Sequence, residues 1–167
     1  MRAQLAIHWP IDELWSEAPR EDSIGAELAD GHYSRQTVGA DGFLASGRCL
    51  VLVAANRRAV WGVVFGIFRE VWRWRNSIFR NDKSGVLSSL LIERATSLTY
   101  RRWREKYGAL PSVPLRTEVD IEATRARRSK KSEPGKCYLE AGWTKVRDIP
   151  AGHGRSAKVE LEAPEAS

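Results

Sequence analysis

Three short stretches hold the side chains with the most chemical capacity. "ADGHYSRQ" (29–36) sets His32, Tyr33, Ser34 and Arg35 side by side in a chain that has only three histidines. An imidazole titrates near neutral pH and can hold or move a proton, a phenol ring can stack on a base, and an arginine can grip a phosphate. The second stretch, "SIFRNDKSGVLSSLLIERA" (77–95), runs from a strand through Arg80, Asn81, Ser84 and Gly85 into a helix start. Such a junction is a generic anion site, because free N–H groups and the helix dipole both face the loop. It has no G-x-x-x-x-G-K-[ST] spacing, and Ser84 and Gly85 read equally well as an N-cap and a turn. The third, "GKCYLEAGW" (135–143), opens a Tyr-x-x-x-Gly-Trp pattern at Tyr138. Cys49 and Cys137 form no C-x-x-C pair, so neither a disulfide framework nor a zinc cluster is suggested. The histidines lack H-x-x-H or H-x-E spacing, which gives no basis for assigning a metal; iron is left open.

The elements that must position these groups follow from local pattern. At 167 residues the chain suits one domain, taken as residues 1–163 with a short tail at 164–167. Residues 3–8 read as a first strand and "IDELWSEA" (11–18) as a short helix at best. Ser23 as N-cap, Ile24 and Leu28 at i, i+4, and Gly31 as C-cap define a helix that leaves His32 and Tyr33 just beyond its end. "RCLVLVA" and "AVWGVVFGIF" flank "ANRR" as a hairpin, and "WRNSIFR" is a further short strand. Leu87, Leu90, Leu91, Leu98 and Trp103 recur at near-helical spacing until Gly108, predicting a long helix with a basic outer face. "LRTEVD" is a strand ending at Asp120, "TRARRSKKSEPGK" a polar loop, "GKCYLEAGW" a short helix, and "TKVRDIP" with "AKVELEA" a closing antiparallel pair. The expected class is α/β around one mixed sheet flanked by helices.

Charge suggests the partners. The formal net charge is +6, with sixteen Lys/Arg against seven Asp/Glu in residues 69–131 and near balance on either side. Arg101, Arg125, Arg127, Arg128, Lys130 and Lys131 are candidates for a phosphate-tracking surface, and Trp72, Trp74 and Trp103 for stacking platforms. A solvated basic face over core tryptophans, or a site for an anionic cofactor, explains the same residues. No apolar run reaches bilayer length and the N-terminus lacks a secretory h-region, so a cytoplasmic protein without a membrane partner is expected.

Strand, anion-binding loop, long helix, strand, Tyr-x-x-x-Gly-aromatic helix and hairpin resemble the core of the GNAT superfamily of N-acetyltransferases, over roughly residues 45–163. In that family a [QR]-x-x-G-x-[GA] loop binds the donor pyrophosphate; "RNDKSGVLS" departs from that spacing. "HYSR", "FRND..G..SS.L", "T.VD" and "GKCYLEAGW", in this order, resemble the Mom-like phage DNA-modification proteins, a divergent GNAT branch. The resemblance implies a GNAT-like fold and transfer of a carbamoylmethyl or acyl-type group to N6 of adenine in DNA, shielding phage DNA from restriction in the bacterial host. It matches His32, Tyr33, Asp120 and Tyr138 to catalytic positions and Arg80 to the arginine after the central strand. The implied partners are double-stranded DNA with a flipped adenine and a small-molecule donor, acetyl-CoA or a relative, near Arg80, Asn81, Ser84 and Gly85. Ser34 and Arg35 would touch the DNA, His32 or Asp120 (beside Thr117) would accept the amine proton, and a homodimer is left open. Two rivals stand beside this reading: an acyl-CoA N-acetyltransferase acting on a small amine or a protein, and a non-catalytic nucleic-acid-binding module of the same fold.

Overall fold

A computed structural model describes residues 14–32, 42–127 and 133–167 of the chain. The expected strand at 3–8 lies outside them. Among the described residues seven strands form one sheet in the order β1-β2-β3-β4-β5-β7-β6. They are β1 (Trp15–Ala18), β2 (Arg48–Ala54), β3 (Ala59–Phe68), β4 (Val71–Asn81), β5 (Leu115–Asp120), β6 (Thr144–Ile149) and β7 (Lys158–Glu162). The helices are α1 (Ser23–Asp30), α2 (Ser88–Tyr107), α3 (Ile121–Arg127) and α4 (Lys136–Glu140). Among the described residues β4 and β5 are the one parallel pair, joined by the α2 crossover that parallel neighbours require.

The sheet divides the core. On one face α2 and α4 cover Leu50, Leu52, Trp61, Val63, Trp74, Leu115 and Leu161. On the other, α1 sets Leu28 and Ala29 against Val51, Val53, Val60 and Ile78. Fully buried aliphatic side chains such as Leu91 and Ile92 contribute about 1.5–3 kcal/mol each, which explains why α2 holds despite its many charges.

Several expectations need correction. Residues 15–18 are an edge strand rather than helix: Trp15 turns inward, donating Nε1–H to the Leu91 carbonyl at 3.0 Å, Ser16 points away, and Glu17, exposed on the same face as Trp15, pairs with Lys106 of the long helix. The N-cap of α1 is Asp22, whose carboxylate accepts the Gly25 N–H at 2.8 Å, not Ser23. The segment expected as polar loop after β5 begins with a helix, α3, because the Asp120 carboxylate caps it by accepting the Ala123 N–H at 2.8 Å. Trp74 and Trp103 are buried, 3% and 1% exposed, and are core rather than stacking platforms; Trp72 is 54% exposed. The cause is strand and helix periodicity, which turns these two rings inward and the neighbouring arginines outward.

A β-bulge shapes the centre. Val63 lies opposite Asn76 and Gly62 opposite Ile78, so Ser77 is the extra residue. Before the bulge Trp74 and Asn76 face α2; after it Phe79 faces α2, while Ile78 and Arg80 face α1. The β4–β5 ladder contains only Trp74↔Leu115 and Arg75↔Arg116 and then ends. On β5, Leu115, Thr117 and Val119 are buried toward α2, and Arg116, Glu118 and Asp120 alternate to the α1 side.

Candidate functional site

Because β4 and β5 are parallel, their carboxyl ends lie at the same edge of the sheet, and they have parted there. The crevice beyond the carboxyl ends of parallel strands is where open α/β sheets take their ligands. Arg80, Asp120, the loop before α2 and the start of α3 all belong to this edge.

Arg80 makes the decisive contact. Its guanidinium lies against Gly31, so closely that a Cβ built there would sit 1.4 Å from Nη1 and 2.3 Å from Cζ. Gly31 has φ −83°, an ordinary helical value, so its need for glycine comes from this approach and not from a left-handed turn. A guanidinium at the carboxyl end of α1 also meets the negative pole of the helix. Nη2 is 3.4 Å from Asp82 Oδ1, and the side chain keeps 25% of its exposure. His32 follows directly, half-buried, its N–H bonded to the Ala29 carbonyl at 2.8 Å. Two segments 49 positions apart in sequence, "GHY" and "FRND", therefore meet. Tyr33, Ser34 and Arg35 lie outside the described residues.

Asp120 stands at the end of β5 on the same side of the sheet as Arg80. One carboxylate oxygen caps α3; the other accepts the Ser156 hydroxyl from the loop between β6 and β7. Thr117, on the same strand three residues earlier, points to the opposite face and donates Oγ1–H to the Asn76 carbonyl at 2.9 Å.

Asn81 and Ser84 close their own loop. Asn81 Nδ2 donates to the Val86 carbonyl at 2.9 Å and to Ser88 Oγ at 3.1 Å, and its Oδ1 accepts the Ser84 N–H at 3.1 Å. Ser84 Oγ accepts the Val86 N–H at 3.2 Å, and the Ser84 carbonyl accepts Asn56 Nδ2 at 2.7 Å. Leu87, without a side-chain cap bond, occupies the N-cap position of α2, so Ser84 is a turn residue and not the cap. Gly85 adopts φ +83° as that turn requires. What the loop can offer an anion is the set of N–H groups in the first turn of α2, which no helical carbonyl reaches.

Tyr138 lies on the α2 side of the sheet, 6% exposed. Its hydroxyl donates to Asn76 Oδ1 at 2.5 Å, while Asn76 Nδ2 donates to the Gly62 and Ile78 carbonyls at 3.0 and 2.9 Å. Asn76 thus ties α4 and β3 to β4, and through its carbonyl β5, at the point where β4 and β5 part. Trp143, Trp61 and Phe79 surround the phenol ring. Sequence reasoning missed Asn76 and Ser156; an asparagine inside the strand pattern "WRNSIFR" was the available signal for the first.

The chain matches no known family. Comparisons with protein-family models, with curated proteins and with solved structures each return nothing. The described residues contain no group of three or more His, Cys, Asp or Glu that could hold a metal ion, and none of their helices is long and apolar enough to cross a membrane. Of the residues expected to meet DNA, Arg101 is exposed on the outer face of α2, across the sheet from Arg80. Arg125 is exposed on α3, of which Arg127 is the last residue. Arg128, Lys130 and Lys131 lie outside the described residues.

Proposed function

We propose that this protein is a GNAT-like, Mom-type transferase that modifies N6 of adenine in DNA, acting in the host cytoplasm. The observation that supports this most is the seating of Arg80 on Gly31 beside His32, at the edge and on the face of the sheet where Asp120 stands. Those residues come from three separate motifs. An exocyclic adenine amine is a poor nucleophile, because its lone pair is delocalised into the ring, and it must leave the base stack to react. In the proposed reaction N6 bonds to the transferred carbon, the leaving group departs from the donor with its electron pair, and N6 loses a proton.

Asp120 is suited to receive that proton. Its carboxylate ends β5 on the face of the sheet that carries Arg80, where it accepts the Ala123 N–H and the Ser156 hydroxyl, and a carboxylate so positioned is a suitable base for an amine proton. His32 is the alternative acceptor. Arg80 offsets negative charge on the donor or leaving group, and the first-turn N–H groups of α2 add to this. Tyr138, its hydroxyl already given to Asn76, acts by holding α4 to the fork between β4 and β5.

The test is the mass of deoxyadenosine in DNA from bacteria that express the chain. A heavier deoxyadenosine in wild-type DNA that disappears with Asp120→Ala supports the reading; unmodified deoxyadenosine at full expression overturns it. The self-contained Asn81–Ser84 loop favours a second reading, a nucleic-acid-binding module without a donor site. That reading requires salt-sensitive DNA binding with no modification.

A further inference from the structure

On the same face of the sheet, toward the opposite edge, the β4–β5 seam carries a groove of about 260 Å³. Arg73 and Arg75 of β4 flank it on one side, Arg116 of β5 and Arg147 of β6 on the other, and Trp72 and Val71 stand at one end. We infer that this groove is a second DNA-binding subsite, taking the phosphodiester backbone of the substrate strand at a distance from the reacting base. The inference rests on the proposed function for its choice of DNA, and it adds a location that none of the catalytic motifs contains.

Its arginines are held in place without being neutralised. Buried Glu160 accepts Arg147 Nε at 2.7 Å and stands 3.8 Å from Arg116, whose Nε and Nη2 both reach Glu162 Oε2 at 2.8 Å. Glu118 is shared in the same way between Arg73 at 3.6 Å and Lys158 at 3.3 Å. Arg73, Arg75, Arg116, Arg147 and Lys158 outnumber Glu118, Glu160 and Glu162, which leaves a positive excess, and fixing long side chains beforehand lowers the ordering cost of binding. The bond to Glu160 also raises the pKa of Arg147 above its ordinary value. Arg75 has an aromatic partner, its guanidinium lying 4.7 Å from the centre of the Phe68 ring. Trp72, on the opposite face of β4 together with Trp74, stacks on Phe65 at 5.0 Å and is 54% exposed.

The groove leads toward the candidate site. Arg73, Arg75 and, past the bulge, Arg80 share one face of β4; Arg116, Glu118 and Asp120 share the matching face of β5. Arg75 and Arg80 are five residues apart, roughly 15 Å along an extended strand. A strand whose base is presented near Arg80 can therefore lay its neighbouring phosphates over Arg75.

Fluorescence anisotropy of a labelled duplex oligonucleotide across a salt series tests this, using the full chain and the double variant Arg73→Gln/Arg75→Gln. The expected result is weaker binding and a log–log salt slope reduced by about 0.9 per arginine removed. Arg75→Lys, which keeps the charge, should keep the slope. Unchanged affinity and slope in the double variant, with an unchanged thermal melt, overturn the subsite. Deoxyadenosine mass separates the two claims. A lowered slope with no modification by wild type leaves the groove standing and removes the transferase. Modification with undiminished DNA binding by the double variant removes the groove alone.

Discussion

β4 carries arginines toward both ends of one face, and they are held in opposite ways. Arg80 is wedged against Gly31 under the end of α1, whereas Arg73 and Arg75 lie over an uncovered part of the sheet, one on a shared carboxylate and one on a phenyl ring. A wedged guanidinium suits a single fixed position in a reaction; an open row suits a repeating anion. The difference originates in the bulge at Ser77 and in α1, which covers β2, β3 and the far end of β4 but not the start of β4.

The largest effect expected from breaking this contrast is on activity. Arg80→Ala should lower DNA modification by at least about 100-fold, the usual loss when one preorganised charge partner is removed. Gly31→Ala should approach the same loss by displacing the guanidinium, while the melt changes by less than about 1 kcal/mol, because the displaced group is the free end of a flexible side chain. Arg73→Gln/Arg75→Gln should instead act on affinity and salt dependence. If Gly31→Ala keeps full activity, the wedge has no role in the reaction.

A smaller effect, on stability, sharpens the comparison at the fork between the strands. Tyr138→Phe leaves the buried Oδ1 of Asn76 without its donor and should cost about 1–3 kcal/mol in a denaturant titration. Loss of activity without loss of stability would instead make the hydroxyl itself a participant.

The smallest effect concerns pH. Burial first, and then the charge of Glu162, raises the pKa of Tyr100 from 10.0 to about 12, and its hydroxyl donates to the Pro164 carbonyl at 2.6 Å. Since the folded pKa lies above the unfolded one, this stabilisation is complete below pH 10 and is lost as the pH rises toward 12. Thermal melts should fall over that window, and Tyr100→Phe should flatten this part of the decline.

Much of this architecture was legible because local pattern and tertiary role coincide. The β-branched runs of β2 and β3 are buried on both faces and the spacing of α2 up to Gly108 matches its buried side, while β6, exposed along nearly its whole length, was legible through its pairing with the largely buried β7. The four residues of β1 are too few for a period and become strand through β2. In "WRWR" the alternation that turns Trp74 inward and Arg73 and Arg75 outward was present, but adjacency suggested a mixed aromatic and basic surface. The cap that starts α3 was likewise visible as Asp120, hidden by the charge run after it. At the candidate site, Arg80 and Asp120 could be named from their motifs. The contact of Arg80 with Gly31 could not, because it depends on which face the bulge turns the end of β4 toward.

The most direct measurement is the deoxyadenosine mass profile of DNA from bacteria producing the wild-type chain beside bacteria producing Arg80→Ala at equal level. A mass-shifted deoxyadenosine in the first and its near absence in the second is the predicted result. Identical, unshifted deoxyadenosine in both would contradict the assignment of this edge of the sheet to adenine modification.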